Sequence, residues 1–167
     1  MKILKIQALR GPNIWSVRRK KLIQMRLDLE EMEQFPTNKI EEFRERIETM
    51  FPTMIEHRCS EGCRGGFFSR VERGTWMGHV IEHIALEIQT LAGMETGFGR
   101  TKETKTPGVY NVVFSYTEES VGMFAAESAV RIAEALISAT EYDVEADIQK
   151  MREIRERVRL GPSTGVS

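Results

Sequence analysis

Only two cysteines, three histidines and five prolines occur among the 167 residues, and each scarcity removes a class of explanation. Two thiols cannot staple a disulfide framework, so the core must hold itself together, and the expected location is a reducing one, the cytoplasm. No apolar run approaches the roughly 18 residues of a membrane span and no signal-peptide pattern follows Met1, so no membrane partner is expected. With 24 basic against 25 acidic residues the net charge is −1, and so even a balance predicts no nucleic-acid partner. There is no internal repeat and no low-complexity tract. What remains is a composition 41% hydrophobic and 29% charged, in a length that suits one domain with a core of its own.

Charge is unevenly spread. Arg18-Arg19-Lys20-Lys21 is a basic run, and Glu30-Glu31 with Glu33 an acidic one; such runs read as solvated faces. Lys2 to Leu9 reads as a strand, closed by a turn at Gly11-Pro12. Ile23 to Leu29 alternates apolar and polar residues without a fault, the pattern of a strand covered on one face. Asn38 and Glu41 have capping-box spacing and predict a helix to about Met50, stopped by Phe51-Pro52. Thr53 to His57 reads as a short strand. A helix capped by Thr75 is expected to run to about Leu91 and end at Gly93. Gly97 to Gly108 reads as a loop, Val109 to Tyr116 as a strand, and two further helices follow, Glu118 to Ser138 and a charged one from Val144 to Val158. The expected class is α+β: a small sheet of about four strands with helices packed on it, followed by that charged carboxy-terminal helix.

The densest chemical signal is His79-Val80-Ile81-Glu82-His83, the H-x-x-E-H order of inverted zinc peptidases. Histidines at i and i+4 lie one helical turn apart, so both can reach one Zn²⁺ at roughly 2.0–2.1 Å, while Glu82 sits beside the metal as a general base and acid. On a helical wheel Met77, Val80, Ile81, Ile84, Ile88 and Leu91 form one apolar stripe. His79, Glu82 and His83 lie opposite, and Leu86, between the two, suggests a partly covered face lining a cleft. A catalytic zinc takes a third protein ligand, which must come from elsewhere in the chain. Cys59 and Cys63, with His57 just before, have spacing that permits a separate second metal cluster. The plainer reading is a Gly-rich loop whose thiols stay free, and its nearness in sequence to the H-x-x-E-H helix leaves His57 or Cys59 as candidates to line that site.

The longer motifs resemble a known family. Leu9-Arg10-Gly11-Pro12-Asn13-x-Trp15-Ser16, Met25-Arg26-Leu27-Asp28-Leu29, Glu56-His57-x-Cys59-Ser60 and Gly65-Gly66-Phe67 are similar to the amino-terminal module of cyanophycin synthetases. So are Gly78-His79-x-x-Glu82-His83-x-Ala85-Leu86-Glu87, Gly97-Phe98-Gly99-Arg100-Thr101 and Pro107-Gly108-Val109-Tyr110-Asn111-Val112-Val113. The resemblance implies that residues 1–160 are that module and that 161–167 begin a linker into an absent ATP-grasp module. It implies a multidomain ligase that builds a poly-aspartate backbone carrying arginine on each side chain, homo-oligomeric at full length. ATP and Mg²⁺ would serve only the absent synthetic modules. Consistently, no G-x-x-x-x-G-K-[ST] phosphate loop occurs here. For the module itself the resemblance implies two roles: holding the cyanophycin polymer, or cutting it internally to make primers for synthesis, with His79 and His83 as ligands and Glu82 as base. A purely structural role in the synthetase is the third reading.

Glu119 is the first expectation for the third ligand, from its place on the apolar side of its helix, and Glu87 the next, although Glu87 also suits the orienting of an imidazole. A zwitterionic polymer needs charges of both signs, and Arg70 and Arg73 before the motif helix, with Arg100 and Lys102 after it, are the expected carboxylate-binding groups.

Overall fold

The alternation along 23–29 puts Ile23, Met25 and Leu27 on one face. In the computed structural model, which describes residues 1–15 and 21–161, they are fully buried in strand β2 (Leu22–Asp28). β1 (Lys2–Leu9) pairs antiparallel with one edge of β2, and β4 (Val109–Ser115) with the other, placing Ile23 opposite Phe114 and Met25 opposite Val112. β3 (Gly99–Glu103) completes an antiparallel sheet of order β1-β2-β4-β3. The apolar face of this sheet is covered by two long helices. α3 (Met77–Leu91) lies over β4 and β3, α4 (Glu119–Ser138) over β1 and β2, and the two pack on each other. Two shorter helices, α1 (Phe43–Met50) and α2 (Gly66–Arg73), close the layer with Phe43, Phe67 and Phe68. The class is α+β.

The opposite face of the sheet is polar over much of its area, with Gln7 donating to Gln24 (2.8 Å) and Gln24 to Asn111 (3.2 Å). α5 (Val144–Leu160) follows, capped by the Asp143 carboxylate, which accepts from the Ala146 amide at 3.0 Å. It buries only Ile148 and Met151. Among the described residues no helix is long and apolar enough to cross a membrane.

Three local expectations are corrected. Residues Pro52–Glu56 form a 3-10 turn, not a strand, and the fourth strand is β3, inside the stretch read as a loop. β3 is an edge strand whose Arg100, Lys102 and Glu103 are exposed, so it carries no apolar alternation, as suits an edge that must not recruit another strand. The helix expected from Asn38 begins only at Phe43, after Glu42 in a left-handed conformation (φ 52°), and has no side-chain cap. Asn38 instead donates to the carbonyl of Arg73 at 2.9 Å, tying the entry to α1 to the end of α2, a helix the sequence reading missed. Most of the basic run at 18–21, and all but Gly161 of the linker expected at 161–167, lie outside the described residues.

Candidate metal centre

α3 places His79, Glu82 and His83 on one side, as the spacing requires, but its surroundings cover that side more than a solvated face would be. Glu82 is 6% exposed and His83 7%. Phe67 of α2 lies against the His83 ring with centroids 4.3 Å apart. The loop before α2 is held by the Gly65 amide on the Ile55 carbonyl (2.7 Å) and the Phe67 amide on the His57 carbonyl (3.1 Å). Gly65 supplies the left-handed turn, φ 78°. Cys59 is itself left-handed at φ 53°, rare for a residue with a side chain and a form of local strain that clusters at functional sites. From that turn its Sγ comes to 3.2 Å from His79 Nε2, and His79 Nε2 is 3.1 Å from His83 Nε2.

These three ligating atoms lie within 4.8 Å of one another. Two nitrogens on one tetrahedral zinc at roughly 2.0–2.1 Å stand about 3.3 Å apart, so the histidine pair is already near that separation.

The outer partners decide which nitrogen faces the centre. Burial works to raise the Glu87 carboxyl's pKa, but hydrogen bonds from His57 and Thr53 outweigh it and hold the carboxyl below its ordinary value, ionised. The ionised Glu87 accepts from His57 Nε2 at 2.8 Å, and in the tautomer that suits ligation His57 Nδ1 is the acceptor. His83 then donates from Nδ1 to His57 Nδ1 at 2.9 Å and turns its Nε2 lone pair inward. On His79, Nδ1 meets the Thr75 hydroxyl at 3.0 Å, a rotor that serves either tautomer. Thr75 therefore supports the histidine rather than capping α3, whose N-cap is Trp76 without a side-chain bond. Both imidazoles are held neutral, as ligation requires. Burial, then the nearby Arg70 charge, lowers the His79 pKa to about 4. Burial, then His79 and His57, pushes His83 well below its usual value. This donor set, two inward lone pairs beside a thiol, fits Zn²⁺.

Glu82 lines the same cleft as the ligating groups. Its Oε2 accepts from the Thr101 hydroxyl at 2.6 Å, and Gly99 leaves the space it occupies: a Cβ there would overlap Oε1 and lie 2.6 Å from Cδ and 2.7 Å from Cγ. Burial raises the Glu82 pKa to about 7, against the opposing hydrogen bond from Thr101. The groups line a cleft of about 700 Å³, to which Leu86, His57 and Arg100 also contribute. A larger open groove of about 830 Å³, between α1 and the α4–α5 connection, brings together no such cluster of ligating groups.

The other expected site residues divide. Glu119 is corrected as a ligand. It stands at the first turn of α4, partly exposed, with both carboxylate oxygens on Arg10 at 2.8 and 3.0 Å. Glu87 reaches His57, not the ligand cluster. Cys59 joins the histidines instead of forming a second centre with Cys63, and both thiols are free. Arg73 pairs with Glu61. Lys102 is exposed and, unlike Arg100, does not line the cleft. Arg70 lines an adjoining cavity with His79. The sequence reading did not assign Thr75, Thr101 and Gly99 to the centre; the signals available were the position of Thr75 one turn before His79 and the Gly-x-Thr alternation.

Residues 24–138 match the family model described as cyanophycin synthase-like N-terminal domain. The chain is 52% identical to a cyanophycin synthetase of Synechocystis sp., 53% to one of Geminocystis herdmanii and 50% to one of Crocosphaera subtropica. Each alignment covers 98% of this chain and 19% of the relative, so the chain spans about a fifth of the length of those proteins. A match over most of the sheet-and-helix layer, including α3 and the Cys59 turn, means that the chain belongs to the cyanophycin synthase-like N-terminal domain family.

Proposed function

We propose that this domain is the polymer-handling module of a cytoplasmic cyanophycin synthetase and that it cuts cyanophycin internally by metal-dependent hydrolysis, producing short chains that prime synthesis. The observation that carries the reading is the convergence of Cys59, His79 and His83 within 4.8 Å, with Glu82 beside them in one cleft. Zn²⁺ would be held by Cys59 Sγ and the two Nε2 atoms, where it would supply Lewis-acid polarisation of a carbonyl and acidify water.

Glu82 takes the proton from the attacking water and delivers it to the departing amine, so that H and OH add across one amide bond. A carboxyl titrating near 7 suits both transfers. Thr101 fixes the orientation of the carboxylate, and Arg100 at the cleft is a partner for substrate carboxylates. ATP and Mg²⁺ belong to the ligase modules in cis, and full-length assembly is homo-oligomeric.

The test is incubation of the purified domain with cyanophycin, with zinc and with chelator. Shorter chains only with metal, and none in Glu82→Gln, support the reading. Binding without cleavage makes the domain a tether, and neither binding nor cleavage makes it structural.

A further inference from the structure

Next to the metal centre is a second, smaller cavity of about 250 Å³ that shares Ser60, His79 and Thr101 with the cleft and is otherwise framed by Arg70, Thr75, Trp76 and Tyr110. Arg70 comes from the last turn of α2, close enough for its charge to act on His79, and its guanidinium makes no hydrogen bond or ion pair among the described residues. Two aromatic residues line the cavity with it. Trp76, 39% exposed, is fixed by its indole N–H donating to the Glu33 carbonyl at 2.7 Å. Tyr110 lies where α3 has no side chain to exclude it, since a Cβ on Gly78 would come within 3.3 Å of the ring.

Carboxylates lie near Tyr110. Glu103 is the cross-strand partner of Tyr110, on the same face of the sheet, and the charges of Glu103 and Glu33 both act on the Tyr110 phenol. The cavity therefore combines an unpaired guanidinium with two aromatic side chains, one of them under carboxylate charge. A ligand that complements it carries a carboxylate and, several bonds away, a planar cation that can stack on the rings.

We propose that this cavity is a subsite for one arginine branch of the polymer, with the branch carboxylate on Arg70 and its guanidinium on Trp76 and Tyr110. The proposal rests on the polymer reading given above and deepens it. An arginine attached through its amine keeps both of those groups free, and one seated here fixes the neighbouring backbone amide against the metal centre. Arg70, Trp76 and Tyr110 are positioning residues, since none reaches the reacting atoms.

Trp76 reports on its own site, because Trp15, the other tryptophan, is buried on the far side of the sheet. The probes are Nα-acetyl-arginine, N-acetylagmatine, which lacks the carboxylate, and Nα-acetyl-citrulline, which lacks the cation. Acetyl-arginine is expected to change the Trp76 emission saturably, and each of the other two to bind about tenfold more weakly, the effect of one lost charge-assisted contact. Arg70→Met should bring acetyl-arginine to the level of acetylagmatine, and Trp76→Phe should abolish the signal. Equal affinity for the three probes, no emission change, or an unaltered preference in Arg70→Met overturns the proposal. Glu82→Gln should keep the full emission response without cleavage. A wild-type domain that shows the response but cuts nothing overturns the hydrolase and leaves the subsite standing.

Discussion

Gly99→Ala is the substitution that tests the arrangement of the centre most closely, because it replaces neither a residue of the H-x-x-E-H motif nor a ligand. A methyl group at this position overlaps the Glu82 carboxyl, with Cδ at 2.6 Å and Cγ at 2.7 Å. Glu82 cannot step aside into water, being 6% exposed, and Gly99 is held in the ladder opposite Phe114. The carboxyl is forced off Thr101 and away from its place beside the histidines. A lost general base costs about 10²- to 10⁴-fold in rate, and the overpacking about 1–3 kcal/mol in stability. Cys59, His79 and His83 do not touch Gly99, so zinc affinity should change by no more than a few-fold. Cleavage of cyanophycin, zinc titration calorimetry and a urea unfolding midpoint on the same preparation separate the three effects. Full cleavage activity in the folded variant, or loss of zinc together with activity, would refute the placement of Glu82.

Cys59→Ala should abolish tight zinc binding in a folded domain, whereas Glu119→Ala should leave binding and cleavage intact, since an exposed pair with Arg10 contributes at most about 1 kcal/mol; calorimetry with zinc distinguishes them. Glu87→Gln removes the charge that orders the His57–His83 relay and should weaken zinc binding about 10- to 100-fold without removing a ligand. The metal-free domain should show opposed pH effects on stability. The Glu82 pKa rises on folding from 4.5 to about 7, so its contribution is present below about 4.5 and lost as pH rises toward 7. The His79 pKa falls on folding from 6.5 to about 4, so its contribution is present above about 6.5 and lost on acidification toward 4. Glu82→Gln should therefore flatten the loss on the neutral side alone, read as urea midpoints between pH 4 and 8 in chelator.

Much of the frame was legible because periodicity states which face is buried. The alternation of Ile23, Met25 and Leu27 predicted β2, and the apolar stripe from Met77 to Leu91 predicted α3 with His79, Glu82 and His83 on its other side. Two of the errors share a physical cause, a local pattern outweighed by a distant partner. Asn38 has cap spacing, yet the Arg73 carbonyl takes its amide. Glu119 falls on the apolar side of a helical wheel, yet it stands in the first turn of α4, where Arg10 meets it.

The sequence by itself determined the α+β class, the helix that carries two imidazoles and a carboxylate one turn apart, and, through its long motifs, the family. Helical spacing and alternation are local properties of the backbone, and one chain is enough to state them. Only the tertiary structure decided what surrounds that helix. Cys59 meets His79 because a left-handed turn and Gly65 fold the chain back on α2, Glu87 reaches His83 only through His57, and Glu82 has its place because β3 presents a glycine and a threonine to it. Those contacts join residues 17 to 30 positions apart, separations at which sequence spacing carries no distance.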